Sequence, residues 1–491
     1  MQDSLFKARG RGIGWLLLAA ALLAAPVRAQ ETRLGQAITA LLLRLGPHAI
    51  TAVRVVSLDR GEVLYERNAD LSLNPASNMK LLTSATALAK LGPEYRFTTR
   101  VLASARPDAD GTVAGDLALQ GGGDPVLETE GLQKLADGVK AAGIRKVTGS
   151  LKVDDYRFDT ERLGAGWNWD DEPFSYSAQI SALAVNRNVL HVDVSPGGAP
   201  GDPPVVRVRP LEGYARVVVD AATGERGSGT EIRIGRERAR NEIRVSGSIA
   251  VDAAPLKARE VTMEEPELLA GALFLKLLSE RGVQVGSSVA RAPASRDAVL
   301  VAALQSPPLK GIVALENKPS DNLIAETLLK ELGYACKKSG TAESGGQVVE
   351  GWLKELGIDT GGLRVSDGSG LGRRNLVTAR LMSDLLAKAD RQPWREAFIN
   401  SLPVAGVDGT LRSRMKDSLA ERNVRAKTGT ISRVSALSGY VTTAGGERLA
   451  FSILLNNFPG PTSGSDGAKR VEDGIAVALA AWRGPSESRV R

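Results

Sequence analysis

The sequence predicts a mixed α/β protein in which one domain is built from both ends of the chain and a β-rich module is inserted between them. Two observations carry that expectation. Helix-like and strand-like patterns alternate in residues 30–96 and again from 309 onward, whereas residues 97–308 hold many short strand-like runs punctuated by Gly, Asp and Pro clusters. Three short, chemistry-bearing signatures are also split between the two ends. Ser77-Asn78-Met79-Lys80 lies in the first, and Ser320-Asp321-Asn322 and Lys427-Thr428-Gly429-Thr430 lie in the second. With 491 residues and 43% hydrophobic content, the chain can fill more than one core.

Residues 1–29 read as a secretory signal. Lys7, Arg9 and Arg11 supply a positive start, the apolar run over 13–25 is short for a membrane span, and Val27-Arg28-Ala29 is a small-x-small site that places cleavage before Gln30. No cysteine stands there to carry a lipid, so the mature protein is expected to be secreted or periplasmic. The formal net charge is +7, of which residues 1–29 contribute three units, leaving +4. Acids and bases are interspersed, which gives no case for nucleic acid as a partner. The one cysteine, Cys336, cannot form an internal disulfide.

The elements follow in order. After an N-terminal helix, strands over Ile50–Ser57 and 62–66 meet at the Asp59-Arg60-Gly61 turn. Leu81, Leu82, Ala85, Leu88 and Ala89 recur at helical spacing, with Pro75 before them and Gly92 as a stop. The middle region is expected to hold strands over Val205–Arg209, 215–220, 231–234 and 242–248, with helices over 130–142 and 265–281. Helical patterns over 309–316 and from Leu323 flank Pro319-Ser320. Strands over 435–442 and Arg448–Asn456 form a hairpin, and residues 467–482 form an amphipathic packing helix.

Ser77 and Lys80 are three residues apart, so on a helix they share a face. A serine needs a neighbour to take its proton, and a lysine can do so where burial or nearby positive charge, such as Lys427, lowers its pKa. A place in the first helical turn gives Ser77 unpaired N–H groups and the positive end of the helix dipole. Asn322 can donate and accept at once, which suits it to hold a substrate amide and the Lys80 ammonium; Ser320 alternatively is a plain helix cap. Lys427 and Thr428 offer charge and a hydroxyl to a carboxylate on a strand edge that an extended peptide can pair with. Gly429 lets substrate approach, and the Thr430 and Ser77 N–H groups can form an oxyanion hole. Ser-x-x-Lys also occurs at Ser4 and Ser413, but only Ser77 heads an apolar helix with the other two signatures downstream.

Other chemistries lack their residues. The two histidines, His48 and His191, stand in no HExxH motif and read as structural or exposed. No GxSxG elbow, cysteine pair, metal cluster or GxxxxGK[ST] loop is present, so no metal or cofactor is expected.

Together these residues resemble the class C low-molecular-mass penicillin-binding proteins, the D-alanyl-D-alanine carboxypeptidase/endopeptidase family. Gly121-Gly122-Gly123-Asp124-Pro125, Asp367-Gly368-Ser369-Gly370-Leu371 and Asp408-Gly409-Thr410 are similar to that family too. The resemblance implies an antiparallel sheet of about five strands with helices on both sides, the serine penicillin-recognising fold. Residues 30–96 and 309–491 would form the catalytic domain and 97–308 the insertion, itself one or two domains. It implies catalytic roles for Ser77, Lys80, Ser320 and Asn322, and substrate binding by Lys427, Thr428, Gly429 and Thr430. The implied partners are peptidoglycan stem peptides and crosslinks, with β-lactams as covalent inhibitors; no feature fixes an oligomeric state. A β-lactamase-like or esterase-type hydrolase on the same core and a non-catalytic cell-wall binding protein are the alternatives.

Overall fold

The structure, a computed structural model, describes residues 33–460 and 467–484. The expected signal segment lies outside the described residues. Strand pairing between the two ends of the chain organises the fold. A five-stranded, wholly antiparallel sheet runs in the order Arg425–Ile431, Val434–Thr442, Arg448–Asn456, Ile50–Ser57, Val63–Arg67. Ile50 stands opposite Asn456 and Ser57 opposite Leu449, so an early strand is zipped along its whole length to a late one.

Side-chain alternation along these strands divides the sheet's two faces. Leu449, Phe451, Ile453 and Leu455 pack with Ile38, Val471, Ile475 and Leu479 of the terminal helices Arg33–Leu43 and Ala468–Ala481. Ala450 and Leu454 turn to the other face, against Leu81, Leu82, Leu328 and Leu385. The second face is therefore covered by the helix Met79–Lys90 and by helices from beyond residue 308.

The segment 98–305 begins and ends on neighbouring strands. Its first strand, Thr98–Ala103, pairs antiparallel with its last, Val299–Gln305, with Thr98 opposite Gln305. These two strands form one side of a second five-stranded sheet that is part parallel, because Leu117–Gln120 and Leu151–Asp154 run parallel across the helix Thr129–Ala141. Two three-stranded sheets and a two-stranded one complete it, and its apolar residues form one contiguous core separate from those on the first sheet. A βαβ unit was not foreseen in a region read as strand-rich. Its strands span only four residues each, too short to show a period.

Among the described residues no helix is long and apolar enough to cross a membrane. His48 is exposed, His191 is half-buried in a strand away from the motifs, and Cys336 is exposed.

Candidate active site

The turn that presents Ser77 is made by its neighbours. Asn74 Oδ1 accepts from the Ala76 N–H at 2.9 Å, and the Asn78 N–H closes on the Pro75 carbonyl at 3.1 Å. Ala76 is held at φ +44°, a conformation that costs an L-residue of order 1–3 kcal/mol. Ser77 thus lies in a short 3₁₀ turn, Ala76–Asn78, and the α-helix begins only at Met79. This corrects the expected first-turn position by half a turn and keeps Ser77 half-buried and open to a cleft.

Lys80 is fully buried and donates three hydrogen bonds: to Ser77 Oγ at 3.1 Å, Asn322 Oδ1 at 2.6 Å and the Ser369 carbonyl at 2.7 Å. Burial pushes its pKa down to about 8, opposed by the carboxylates of Glu316, Asp367, Glu326 and Asp321. Of the two causes anticipated, burial or a nearby positive charge such as Lys427, burial is the one that acts. Asn322 is fixed from its other end, where Nδ2 donates to the Tyr176 carbonyl at 2.7 Å. Asp321, not Ser320, caps the following helix, accepting from the Ile324 N–H at 3.0 Å. Ser320 sits at φ +68° with its hydroxyl toward Lys427, whose Nζ donates to Ser320 Oγ at 2.8 Å and to the Thr428 carbonyl at 3.0 Å. Lys427 is also fully buried, and burial followed by the nearby Lys80 charge holds its pKa well below the usual lysine value.

The strand Arg425–Ile431 is the edge of its sheet. The segment around Val404 covers that edge only near Arg425: the Ala426 N–H bonds to the Pro403 carbonyl at 3.0 Å. Strand parity then puts the Thr428 and Thr430 N–H groups on the same outer side, facing the cleft. Gly429 has a reason the sequence did not reveal. A Cβ there would lie 2.6 Å from the Pro75 carbonyl oxygen and 3.0 Å from the Ser77 nitrogen, so the glycine seats the Ser77 turn against the strand. Thr428 Oγ1 shares a 2.7 Å hydrogen bond with Thr410 Oγ1, the threonine of Asp408-Gly409-Thr410.

Two sets of residues escaped the sequence reading. The Asp367–Leu371 turn, assigned no chemistry, supplies the carbonyl that holds Lys80. Asp367 binds the Gly370 and Gly372 N–H groups at 2.6 and 2.7 Å, and Glu326 accepts from the Gly368 and Ser369 N–H groups. Glu316 is buried with no hydrogen-bond partner on either carboxylate oxygen among the described residues. Burial raises its pKa to about 8 against the pull of Lys80 and Lys427. The second set lines the cleft. A cleft of about 390 Å³ over Ser77, Ser320, Asn322 and Thr430 is walled by Asn168, Asp171 and Tyr176 on one side and Leu371 and Arg373 on the other. No motif marks Asn168, Asp171 or Tyr176.

This fold and this site define a serine hydrolase of the penicillin-recognising class, in which a lysine rather than a histidine stands beside the cleft serine. Residues 35–481 match the D-Ala-D-Ala carboxypeptidase 3 (S13) family, and the chain belongs to that family. The D-alanyl-D-alanine carboxypeptidase of an Actinomadura species is 45% identical over 450 residues, 89% of this chain and 82% of that protein. The crystal structure of penicillin binding protein 4 (dacB) from Haemophilus influenzae covers 90% of this chain and 98% of its own, with a TM-score of 0.79 and 24% identity. The same Haemophilus protein complexed with a β-lactam matches with a TM-score of 0.75 and 23% identity. The chain is accordingly an enzyme, a serine-type D-Ala-D-Ala carboxypeptidase.

Proposed function

We propose that Ser77 is the acylated nucleophile and that the substrates are peptidoglycan stem peptides ending in D-Ala-D-Ala and their crosslinks. The observation that carries this reading is the contact of Ser77 Oγ with the buried Lys80 Nζ at 3.1 Å, since a lysine with a pKa near 8 is neutral often enough to act as base. Lys80 takes the Ser77 proton as Oγ attacks the carbonyl of the penultimate D-alanine. The oxyanion is held by the Ser77 and Thr430 N–H groups. Ser320 Oγ already accepts from Lys427, so its own hydrogen is free for the cleft and passes to the leaving amine as the C–N bond breaks. Lys427 with Thr428 holds the terminal carboxylate. Water then cleaves the acyl-enzyme, and the protons redistribute between Lys80 and the Ser320–Lys427 pair. A β-lactam would follow the acylation half of this path.

The ends of the chain act in this reading as the catalytic domain, and residues 97–308 set access. Asp171 and Arg373 give the cleft walls opposite charges, which suits a stem-peptide side chain bearing both an amine and a carboxylate. Export through residues 1–29 to the periplasm or beyond would bring the enzyme to its polymer. Release of D-alanine from a minimal D-Ala-D-Ala peptide tests the core of the proposal. Ser77→Ala should abolish release in a folded protein, and continued release would overturn the assignment of the nucleophile.

A further inference from the structure

The space over Ser77 has a second lobe. A cavity of about 270 Å³ is lined by Ser77, Ser320, Thr428, Thr430, Arg414 and Lys469, and it shares none of the insertion residues of the larger cleft. Thr428 lines only this lobe. In the proposed reaction Thr428 and Lys427 hold the carboxylate of the departing residue, so the second lobe lies on the leaving-group side. A departing D-alanine brings a single carboxylate and a methyl group, which leave most of that volume unfilled.

The two cations beyond the clamp differ in kind. Arg414 is spent: its guanidinium pairs with Glu472 at 2.8 Å and Asp473 at 2.7 Å, and it also donates to the Lys469 carbonyl. Lys469 has no ion pair and no side-chain hydrogen bond among the described residues. It is the second residue of the helix Ala468–Ala481, whose first turn carries no acid, so the positive end of the helix dipole adds to its charge. A half-buried, unpaired ammonium facing the departing group is an anion-selecting element.

We propose that Lys469 sets leaving-group specificity by pairing with a second carboxylate, one carried further along the departing amine. That chemistry describes a crosslinked stem. Its departing amine has a carboxylate beside it, as D-alanine does, and the attached acceptor peptide supplies more. Lys469 thereby favours endopeptidase cleavage of crosslinks over simple trimming of D-alanine. The inference rests on the acyl-enzyme reading above and deepens it.

The test compares two defined substrates on the full chain: a pentapeptide stem monomer ending in D-Ala-D-Ala, and a tetrapeptide dimer joined D-Ala to diaminopimelate. For a partly screened ion pair, Lys469→Gln should lower kcat/KM on the dimer about five-fold, and Lys469→Glu should lower it further. Lys469→Arg should restore most of it. The monomer should stay within about two-fold in all three variants, and added salt should weaken dimer cleavage by the parent more than by Lys469→Gln. Equal losses on both substrates, or none on the dimer, would overturn the role of Lys469. A parent protein that cleaves neither substrate and takes up no β-lactam at Ser77 would instead overturn the reading beneath it.

Discussion

Lys427 Nζ donates to Ser320 Oγ at 2.8 Å, joining two residues 107 positions apart in sequence. The contact gives Lys427 two tasks. In the proposed reaction it would bind the substrate carboxylate and orient the Ser320 hydroxyl that delivers a proton to the departing amine. Lys427→Ala should therefore slow every substrate through Ser320 and slow those with a free terminal carboxylate more. The check is kcat/KM on a D-Ala-D-Ala peptide against a thioester that lacks the carboxylate. We expect a loss of about 10²-fold or more on the peptide and a clearly smaller one on the thioester. Equal losses would remove the charge clamp and leave only the proton role.

Ser77 and Ser413 both head Ser-x-x-Lys, but the structure treats them differently. Ser77 touches a fully buried lysine, whereas Ser413 and Lys416 are both exposed. A penicilloyl group should map to Ser77 alone in mass spectra of tryptic peptides. Lys80→Ala should slow acylation by about 10²–10⁴-fold, the usual worth of general-base help, and Ser413→Ala should leave it unchanged. An adduct on Ser413, or undiminished acylation in Lys80→Ala, would sink the assignment.

The pH dependence follows from the same burial. Lys80 must be neutral to accept a proton, and its pKa is held down to about 8. Acylation should fall about tenfold per pH unit well below that value and level off above it. Glu316 faces Lys80 and Lys427, with Asp321 and Glu326 also near it, and its anion favours both ammonium forms. In Glu316→Gln the Lys80 pKa drops, so the acid limb of the rate profile should move to lower pH. Lys427 loses its charge more readily in the same variant, so KM for carboxylate substrates should rise. A limb that stays in place would show that Glu316 does not act on Lys80.

The parts of the site that the sequence revealed are those where one residue type in one spacing can do one job. Ser77 with Lys80, Ser320 with Asn322, and Lys427 with Thr428 are such cases, and the structure brings all six together. The sheet was legible because Ile50–Ser57 and Arg448–Asn456 are long, apolar runs bounded by turns. What stayed hidden depends on packing between distant segments. Gly429 reads as a substrate-facing glycine until the Pro75 carbonyl is seen against it. Glu316 reads as an ordinary helical acid until it is found buried beside two lysines. Asp171 and Tyr176 sit in a loop whose sequence has no period and no motif.

The cleft wall around Asp171 gives a separate test. Asp171 is held toward the cleft by Asn168 Nδ2 at 2.9 Å and Tyr176 Oη–H at 2.7 Å. Asp171→Ala should cost about five- to tenfold in kcat/KM on stem peptides whose third side chain ends in an amine. Acylation by a small thioester should change little, because it does not reach that wall. A uniform loss would mean that the loop acts on the catalytic groups, most directly through the Tyr176 carbonyl that holds Asn322.

Asp367 positions Lys80 without touching it. Its carboxylate binds the N–H groups of Gly370 and Gly372, Asn375 Nδ2 at 2.8 Å and Trp167 Nε1 at 3.2 Å, and it sets the turn whose Ser369 carbonyl holds Lys80. Asp367→Ala leaves at least two buried backbone donors without an acceptor, each worth about 1–3 kcal/mol. Stability in urea should fall by about 3 kcal/mol or more. Acylation should also slow at temperatures where the variant is fully folded, since Lys80 would lose one of its three acceptors and turn from Ser77. Asp367→Asn keeps the shape but cannot accept at both ends, so it should fall between the parent and Asp367→Ala on both measures. Full acylation activity in a folded Asp367→Ala protein would show that Asn322 alone positions Lys80.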